Sequence, residues 1–400
     1  MSGPDGGPPV SHTDYRQVTG PCGHYALLDA EREASALHWN DTTPGGFWMV
    51  TRYEDVLACF QAPAAFTNKV TSALNPVRGI DILPQTLDGE PHTRLRRVLN
   101  RYFAPAAVRR IEPFALQRCR DLIDRIQPDG GCDFVAEFAI RYPTDVFMQL
   151  MGLPVADGSF FVGWVEQIFT GIFSGDHAAA QAASGQLKDY FAAVVAERRQ
   201  VPMDPDVDLI SRLLQARPGD EPITDEDILT ICVTLVMAGL DTTRSALGYM
   251  FWHLACNPAD RQQLASQPGL AAAAVEEFIR LYPLVIQAGR ETAGCPVVSG
   301  RELADGDVVW LGIGSANRDP RKYPEPDKFI LGREGVNQHL AFGAGPHRCL
   351  GLHLARLELA IVLREWHERI PGYWIEPGAG ITERGSQLTL RSLPLRWPAG

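Results

Sequence analysis

Close-set metal or disulfide spacings are missing from this 400-residue chain: its eight cysteines, at positions 22, 59, 119, 132, 232, 256, 295 and 349, include no Cys-x-x-Cys pair and no short Cys/His set. That excludes a zinc finger or a disulfide framework and leads us to expect a reduced, cytoplasmic protein. An excess of positive charge is missing too. With a formal net charge of −11, the chain has no basic balance suited to a general nucleic-acid binder. No Ser/Gly linker, internal repeat or low-complexity run divides it, so a single large unit is expected, and a monomer. The longest apolar run, 228–240, is interrupted by Thr230 and Thr234 and flanked by Asp227 and Asp241. It is too short to span a bilayer. The opening MSGPDGGPPVSHTDYRQ lacks the basic and apolar stretches of a signal peptide. Its glycines and prolines predict a flexible arm over 1–22, ahead of one domain from 23 to 400.

What the chain does have is helical periodicity. The reading is mainly α with small β-sheets. FWMVTRY (47–53) reads as a strand leading into a helix, and PHTRLRRVLNRYF (91–103) as a basic amphipathic helix that Pro105 stops or restarts. Helical patterns continue over 107–127, 133–152 and 186–200. Strand-like stretches gather late, at 285–292, 307–313 and 387–397. The segment from Thr224 to Cys256 begins with a Thr224/Asp227 capping pattern and ends at Asn257-Pro258. Read as one helix, it would run for roughly 50 Å at ~1.5 Å per residue. Its middle, AGLDTT (238–243), admits two readings. Gly239 could close one helix, with Asp241 or Thr242 capping a second. Alternatively a continuous helix is weakened there, with a threonine hydroxyl taking the carbonyl of Ala238 and opening a groove for a small molecule.

A second unusual stretch is FGAGPHRCLG (342–351), where Gly343, Gly345, Pro346 and Gly351 surround the single cysteine Cys349. Glycines and proline restrict the backbone to one uncommon path. The helical pattern that follows places Cys349 near a helix N-terminus, where the helix dipole favours a thiolate. A lone cysteine is ordinarily a small buried apolar residue, so neighbouring motifs must decide its role.

Five motifs decide it together: HTRLR (92–96), AGLDTT (238–243), EFIR (277–280), ANRDP (316–320) and FGAGPHRCLG (342–351). In this order and spacing the chain resembles the cytochrome P450 family of haem-thiolate monooxygenases, especially its soluble bacterial members of the camphor-hydroxylase type. The resemblance implies a single triangular fold with a long central helix over heme b, iron protoporphyrin IX. It implies Cys349 as the iron ligand, whose anionic sulfur donates electron density that favours O–O cleavage. Phe342 would pack beside the sulfur, and Gly351 and Ala238 would lie against the cofactor. His92, Arg96, Arg290 and His347 would hold the propionates, although a solvated helix face is the plain alternative for His92 and Arg96. Glu277 and Arg280, three apart on one helix face, would be buried with Arg333. Ile330 stands where the family often has aspartate, which puts the detail of those contacts in doubt.

On the oxygen side the resemblance assigns Asp241 to proton relay and Thr242 to holding the reacting oxygen or an ordered water. It implies hydroxylation of a small hydrophobic substrate with O2. Electrons would come from NAD(P)H through a ferredoxin and ferredoxin reductase. Arg94, Arg96, Arg97, Arg101 and Arg348 either steer that acidic partner or are merely solvated. The segments 69–85 and 168–175 would roof the pocket, and Thr234, Met237, Ala238, Ile286, Ser386 and Gln387 would line it or belong to ordinary core. A terpenoid or branched fatty acid is the expected class. The other readings are a haem-thiolate gas sensor or carrier and a peroxide-driven haem enzyme.

Overall fold

The computed structural model describes residues 8–79, 81–384 and 387–398. Its core is organised around one continuous helix, Asp225–Cys256, capped by the Thr224 hydroxyl, which accepts from the Asp227 N–H at 3.1 Å. Of the two readings of the 238–243 segment, the continuous helix is the one observed. Gly239 has a packing reason to be glycine: a Cβ there would stand 2.9 Å from the Phe147 ring. By length and composition this helix would suffice to cross a membrane. In the fold it is instead wrapped by the helices Arg141–Leu150, Gly158–Ser174 and His177–Gln200. An apolar helix packed on several sides needs no bilayer.

Helices dominate the rest. The basic helix is Gly89–Tyr102, and Pro105 opens the next, Pro105–Ile126, as its fixed φ and missing N–H allow at a first turn. The helix Leu352–Arg369 follows the cysteine stretch and buries Trp366, which meets Phe134, Phe138, Phe251 and Tyr373 edge to face. Such contacts contribute about 0.5–1.5 kcal/mol per pair beyond area burial.

Strands are accessory. A six-stranded mixed sheet runs in the order Val10–Ser11, Leu37–Asn40, Phe47–Val50, Val308–Leu311, Ala288–Thr292, Phe66–Thr67. Glu383–Arg384 and Thr389–Leu390 form a small hairpin. The stretch that follows Phe66–Thr67 is fastened to the strand Ala288–Thr292 and the residue before it. The Gly289 N–H donates to the Thr71 carbonyl at 2.9 Å, and the Gln287 amide donates to the Ser72 hydroxyl at 3.0 Å. A Cβ on Gly289 would lie 2.5 Å from the Ser72 backbone nitrogen, so only glycine permits this approach.

The expected flexible arm over 1–22 requires correction. Residues 1–7 lie outside the described residues, but 8–22 are packed. Val10–Ser11 pairs in parallel with Trp39–Asn40, and Tyr15 is fully buried with its ring 4.9 Å from that of Trp310. Burial of one large aromatic ring and an edge-strand pairing offset the ordering cost that glycine and proline content signalled.

Candidate active site

The cysteine loop is fixed by its own backbone. The Cys349 N–H donates to the Phe342 carbonyl at 2.8 Å, and the Gly343 N–H to the Leu340 carbonyl at 2.8 Å. Gly343 and Gly345 have φ of 65° and 69°, in the left-handed region. A Cβ at Gly345 would stand 2.3 Å from the Phe60 carbonyl oxygen, so this glycine lets the loop sit on the end of the helix Tyr53–Gln61. At Gly351, by contrast, φ is −84° and a Cβ would meet nothing.

Cys349 keeps accessible surface, as suits a side chain that must reach a bound cofactor. Burial pushes its thiol upward, against the opposing effect of the Gly351 N–H on the sulfur and of Arg96, Arg356 and Arg348. The expected helix-end preference for thiolate is therefore outweighed by desolvation in the protein alone; coordination to a metal ionises a thiol outright. Phe342 is held by the Arg356 guanidinium, 4.8 Å from its ring centroid, and Arg356 is in turn gripped by Glu276 at 2.5 and 2.7 Å.

Cations converge beside this loop. The rings of His92 and His347 stack at 3.8 Å, and the His347 ring lies 3.3 Å from Asp88. Burial, then the neighbouring His347 and Arg96, depress His92 to about 4. Arg96 donates to the Arg348 carbonyl at 2.7 Å, while its buried Nε has no hydrogen-bond partner. Arg290 is buried, with its guanidinium 5.3 Å from the Phe60 ring centroid, and burial lowers it to about 10. Among the described residues, neither Arg96 nor Arg290 has an ion pair with a carboxylate. A buried guanidinium without an anion is costly. Arg290 in that condition, with the half-buried Arg96 and two stacked histidines beside it, fits a bound group with two carboxylates, as haem propionates are.

The central helix carries the opposite face. The Thr242 hydroxyl donates to the Ala238 carbonyl at 2.8 Å, and Ala238 is exposed in the middle of a largely buried helix. Asp241, next to it, is buried and clamped. Its Oδ2 accepts from Arg384 at 2.8 Å and from the Gln387 amide at 2.9 Å. Its Oδ1 lies 2.5 Å from Arg244, an ion pair without hydrogen-bond alignment. Arg244 also reaches Glu166 at 2.8 Å, and Glu166 is half exposed on the helix Gly158–Ser174. Arg384 spreads its guanidinium 5.0 Å from the Phe169 ring centroid.

Glu277, Arg280 and Arg333 form one buried cluster. Arg280 bonds both Glu277 oxygens at 2.7 and 2.8 Å, and Arg333 bonds Oε1 at 2.8 Å. Ile330, in place of the family's aspartate, contributes only its backbone N–H, 3.0 Å from the same oxygen.

The residues expected to line a pocket separate. Thr234 and Met237 are partly exposed along the stripe that includes Ala238 and Thr242. Ile286 is not pocket wall: it is fully buried against Gly314, itself close to Leu28. Gln387 is bound to Asp241, and Ser386 lies outside the described residues. Sequence analysis missed Arg244, Arg384, Glu166 and Asp88. Arg244 had a signal, since it is three residues from Asp241 on one helix face; the others had none.

Comparison with known proteins agrees with this site. A family model described as Cytochrome P450 matches residues 158–267 and 260–366. The probable cytochrome P450 127A1 of Sinorhizobium fredii is 33% identical over 357 residues, spanning 88% of this chain and 84% of the relative. The mycinamicin IV hydroxylase/epoxidase of Micromonospora griseorubida is 32% identical over 334 residues, spanning 81% and 82%. The crystal structure of CYP101J2 superposes with a TM-score of 0.87 at 30% identity, covering 97% of each chain. A cysteine pinned in a glycine-bracketed loop, cations awaiting carboxylates and relatives matched along most of their length agree: this chain belongs to the cytochrome P450 family, the monooxygenases that bind haem b.

Proposed function

We propose that this protein hydroxylates a small hydrophobic substrate with one atom of O2, taking electrons from NAD(P)H through a ferredoxin and its reductase in the cytoplasm. The observation that carries the reading is the pairing of the pinned Cys349 with the buried Arg290 and the half-buried Arg96, neither ion-paired to a carboxylate among the described residues. Haem b, when bound, supplies the iron at which O2 is activated. Cys349 holds that iron through its sulfur, with the Gly351 N–H directed at it. Arg96, Arg290, His92 and His347 hold the propionates, and Phe342 shields the sulfur from water.

The remaining steps belong to the chain. Thr242 donates to the Ala238 carbonyl and can turn its hydroxyl toward a ligand in the groove. Asp241 hands on a proton arriving from the surface side, where Glu166 and Arg244 connect it to solvent. Thr234, Met237 and the exposed Ala238 offer a mostly apolar wall, which supports a terpenoid or branched fatty acid as substrate. The Micromonospora relative, a hydroxylase/epoxidase by name, belongs to the same class of reaction. Electrons would enter beside the basic helix, where an open cleft of about 520 Å³ is lined by Arg96, Arg97, Arg101 and Pro346. Charge of one sign there suits an acidic ferredoxin, and reduction should slow as salt is added.

The test is a panel of terpenoids and fatty acids scored by the ferric Soret shift. Compounds that shift it are then incubated with NADH, ferredoxin and reductase, with peroxide alone, or with neither. Hydroxylated product in the first arm supports the reading. Product confined to the peroxide arm overturns the electron source, and a protein that binds the panel without product in any arm overturns the reaction.

A further inference from the structure

Away from the cations and the cysteine, one buried polar cluster is used by none of the chemistry above. His24 and Glu383 have no exposed side-chain surface, and their Nδ1 and Oε1 are 2.6 Å apart. The other ring nitrogen of His24 lies 3.2 Å from the Tyr15 carbonyl, so both nitrogens face oxygens and a proton must sit between ring and carboxylate. The Thr19 and Tyr249 hydroxyls also donate to Glu383, one to each oxygen. The backbone joins in, with the Glu383 N–H 3.0 Å from the Thr19 carbonyl.

Such a cluster is a poor device for stability alone. Apolar side chains of the same volume usually serve as well or better, because desolvating a buried carboxylate is costly. Its location gives it another use. Glu383 is the first residue of the hairpin in which it pairs with Leu390 and Arg384 pairs with Thr389. Arg384 and Gln387 are the two hairpin residues that grip Asp241, while Tyr249 stands two turns further along the Asp241 helix. The hairpin is thus pinned to the central helix twice, at Tyr249 and at Asp241.

We infer that Glu383 is a positioning residue for proton delivery: with His24, Thr19 and Tyr249 it fixes the hairpin so that Arg384 and Gln387 hold Asp241 in one place. The segment ahead of the helix Gly23–Ala34 becomes part of that device. The inference rests on Asp241 acting as a proton relay. A relay carboxylate misplaced by about 1 Å loses much of its rate advantage.

The test uses substrate-free holoprotein with NADH and saturating amounts of a surrogate iron–sulfur ferredoxin and its reductase. Wild type, Glu383→Gln, Tyr249→Phe, Arg384→Gln and Asp241→Asn are compared at equal haem content. The readouts are the NADH-consumption rate, its solvent deuterium isotope effect and the Soret position. Glu383→Gln and Arg384→Gln should each slow consumption by roughly three- to tenfold and enlarge the isotope effect, with an unshifted Soret band. Their combination should be no slower than the slower single change, since both act through one contact. Tyr249→Phe removes one hydroxyl and keeps the carboxylate, so it reports on the same device by about twofold even where Glu383→Gln fails to fold. A folded Glu383→Gln, or Tyr249→Phe, with the wild-type rate and isotope effect beside a slowed Asp241→Asn overturns the positioning role and leaves the relay intact. Wild-type behaviour of Asp241→Asn overturns both.

Discussion

Two sides of one site are held by opposite means. Cys349 is fixed by residues within ten positions of it: the carbonyl of Phe342, two left-handed glycines and the N–H of Gly351. Asp241 is fixed by side chains from three parts of the chain. Arg244 is one turn away, Glu166 reaches Arg244 from another helix, and Arg384 and Gln387 lie 143 and 146 positions on. A ligand that must not move can be held by local backbone, whose geometry is almost fully determined. The group we propose as the proton relay is held by side chains, which can let go.

The contrast can be tested first where it is strongest. Cys349→His keeps the loop backbone and replaces the sulfur. The carbonyl complex of the reduced protein should then absorb like an imidazole-ligated haem, and oxygenation should fall by more than ~100-fold. Next comes the buried triad behind the cysteine loop. Glu277→Gln leaves Arg280 and Arg333 without their anion and should lower stability by about 3–5 kcal/mol in chemical denaturation; a smaller loss would show that local backbone alone sustains that side.

A smaller effect concerns Glu276, which keeps Arg356 over Phe342. Burial acts to raise this carboxyl, but Arg356 and His339 overcome it and hold it down to about 2. A depressed carboxyl stabilises the fold above its ordinary value and loses that contribution as pH falls toward about 2. Glu276→Gln should therefore be less stable than wild type near neutrality, by about 1–2 kcal/mol. The deficit should close between pH ~4.5 and ~2 in urea midpoints measured against pH. The smallest expected effect sharpens the other side. Thr242→Ala should keep the Soret band and NADH consumption within about twofold while diverting several-fold more electrons to peroxide. Unchanged coupling would remove Thr242 from proton handling.

Much of the cysteine side was legible in sequence because its determinants are contiguous: glycine and proline positions encode a backbone path, and the helix after Gly351 follows from periodicity. The central helix was half legible. Its caps, Thr224 and Asn257-Pro258, were readable, but its continuity through Gly239 depended on the Phe147 ring, which no local pattern reveals. The Asp241 clamp was almost invisible, since Arg384 and Gln387 sit in a hairpin whose proximity is created only by the fold. Composition misled at the chain start, where glycine and proline suggested looseness and Tyr15 supplied an anchor. Ile286 misled by position alone: it follows the right helix but turns toward Leu28 and Gly314.

The close seam at Gly289 bears on how such a protein can change its diet. Because Thr71 and Ser72 are stitched to the strand that carries Arg290, and Arg78 bonds Glu291 on that same strand, the stretch 71–78 is held in step with the cations. On the proposed role of 69–85 as the roof of the pocket, substitutions across 81–85 would reshape what is admitted without moving Arg290, so new substrates could be explored while the oxygen chemistry stays constant.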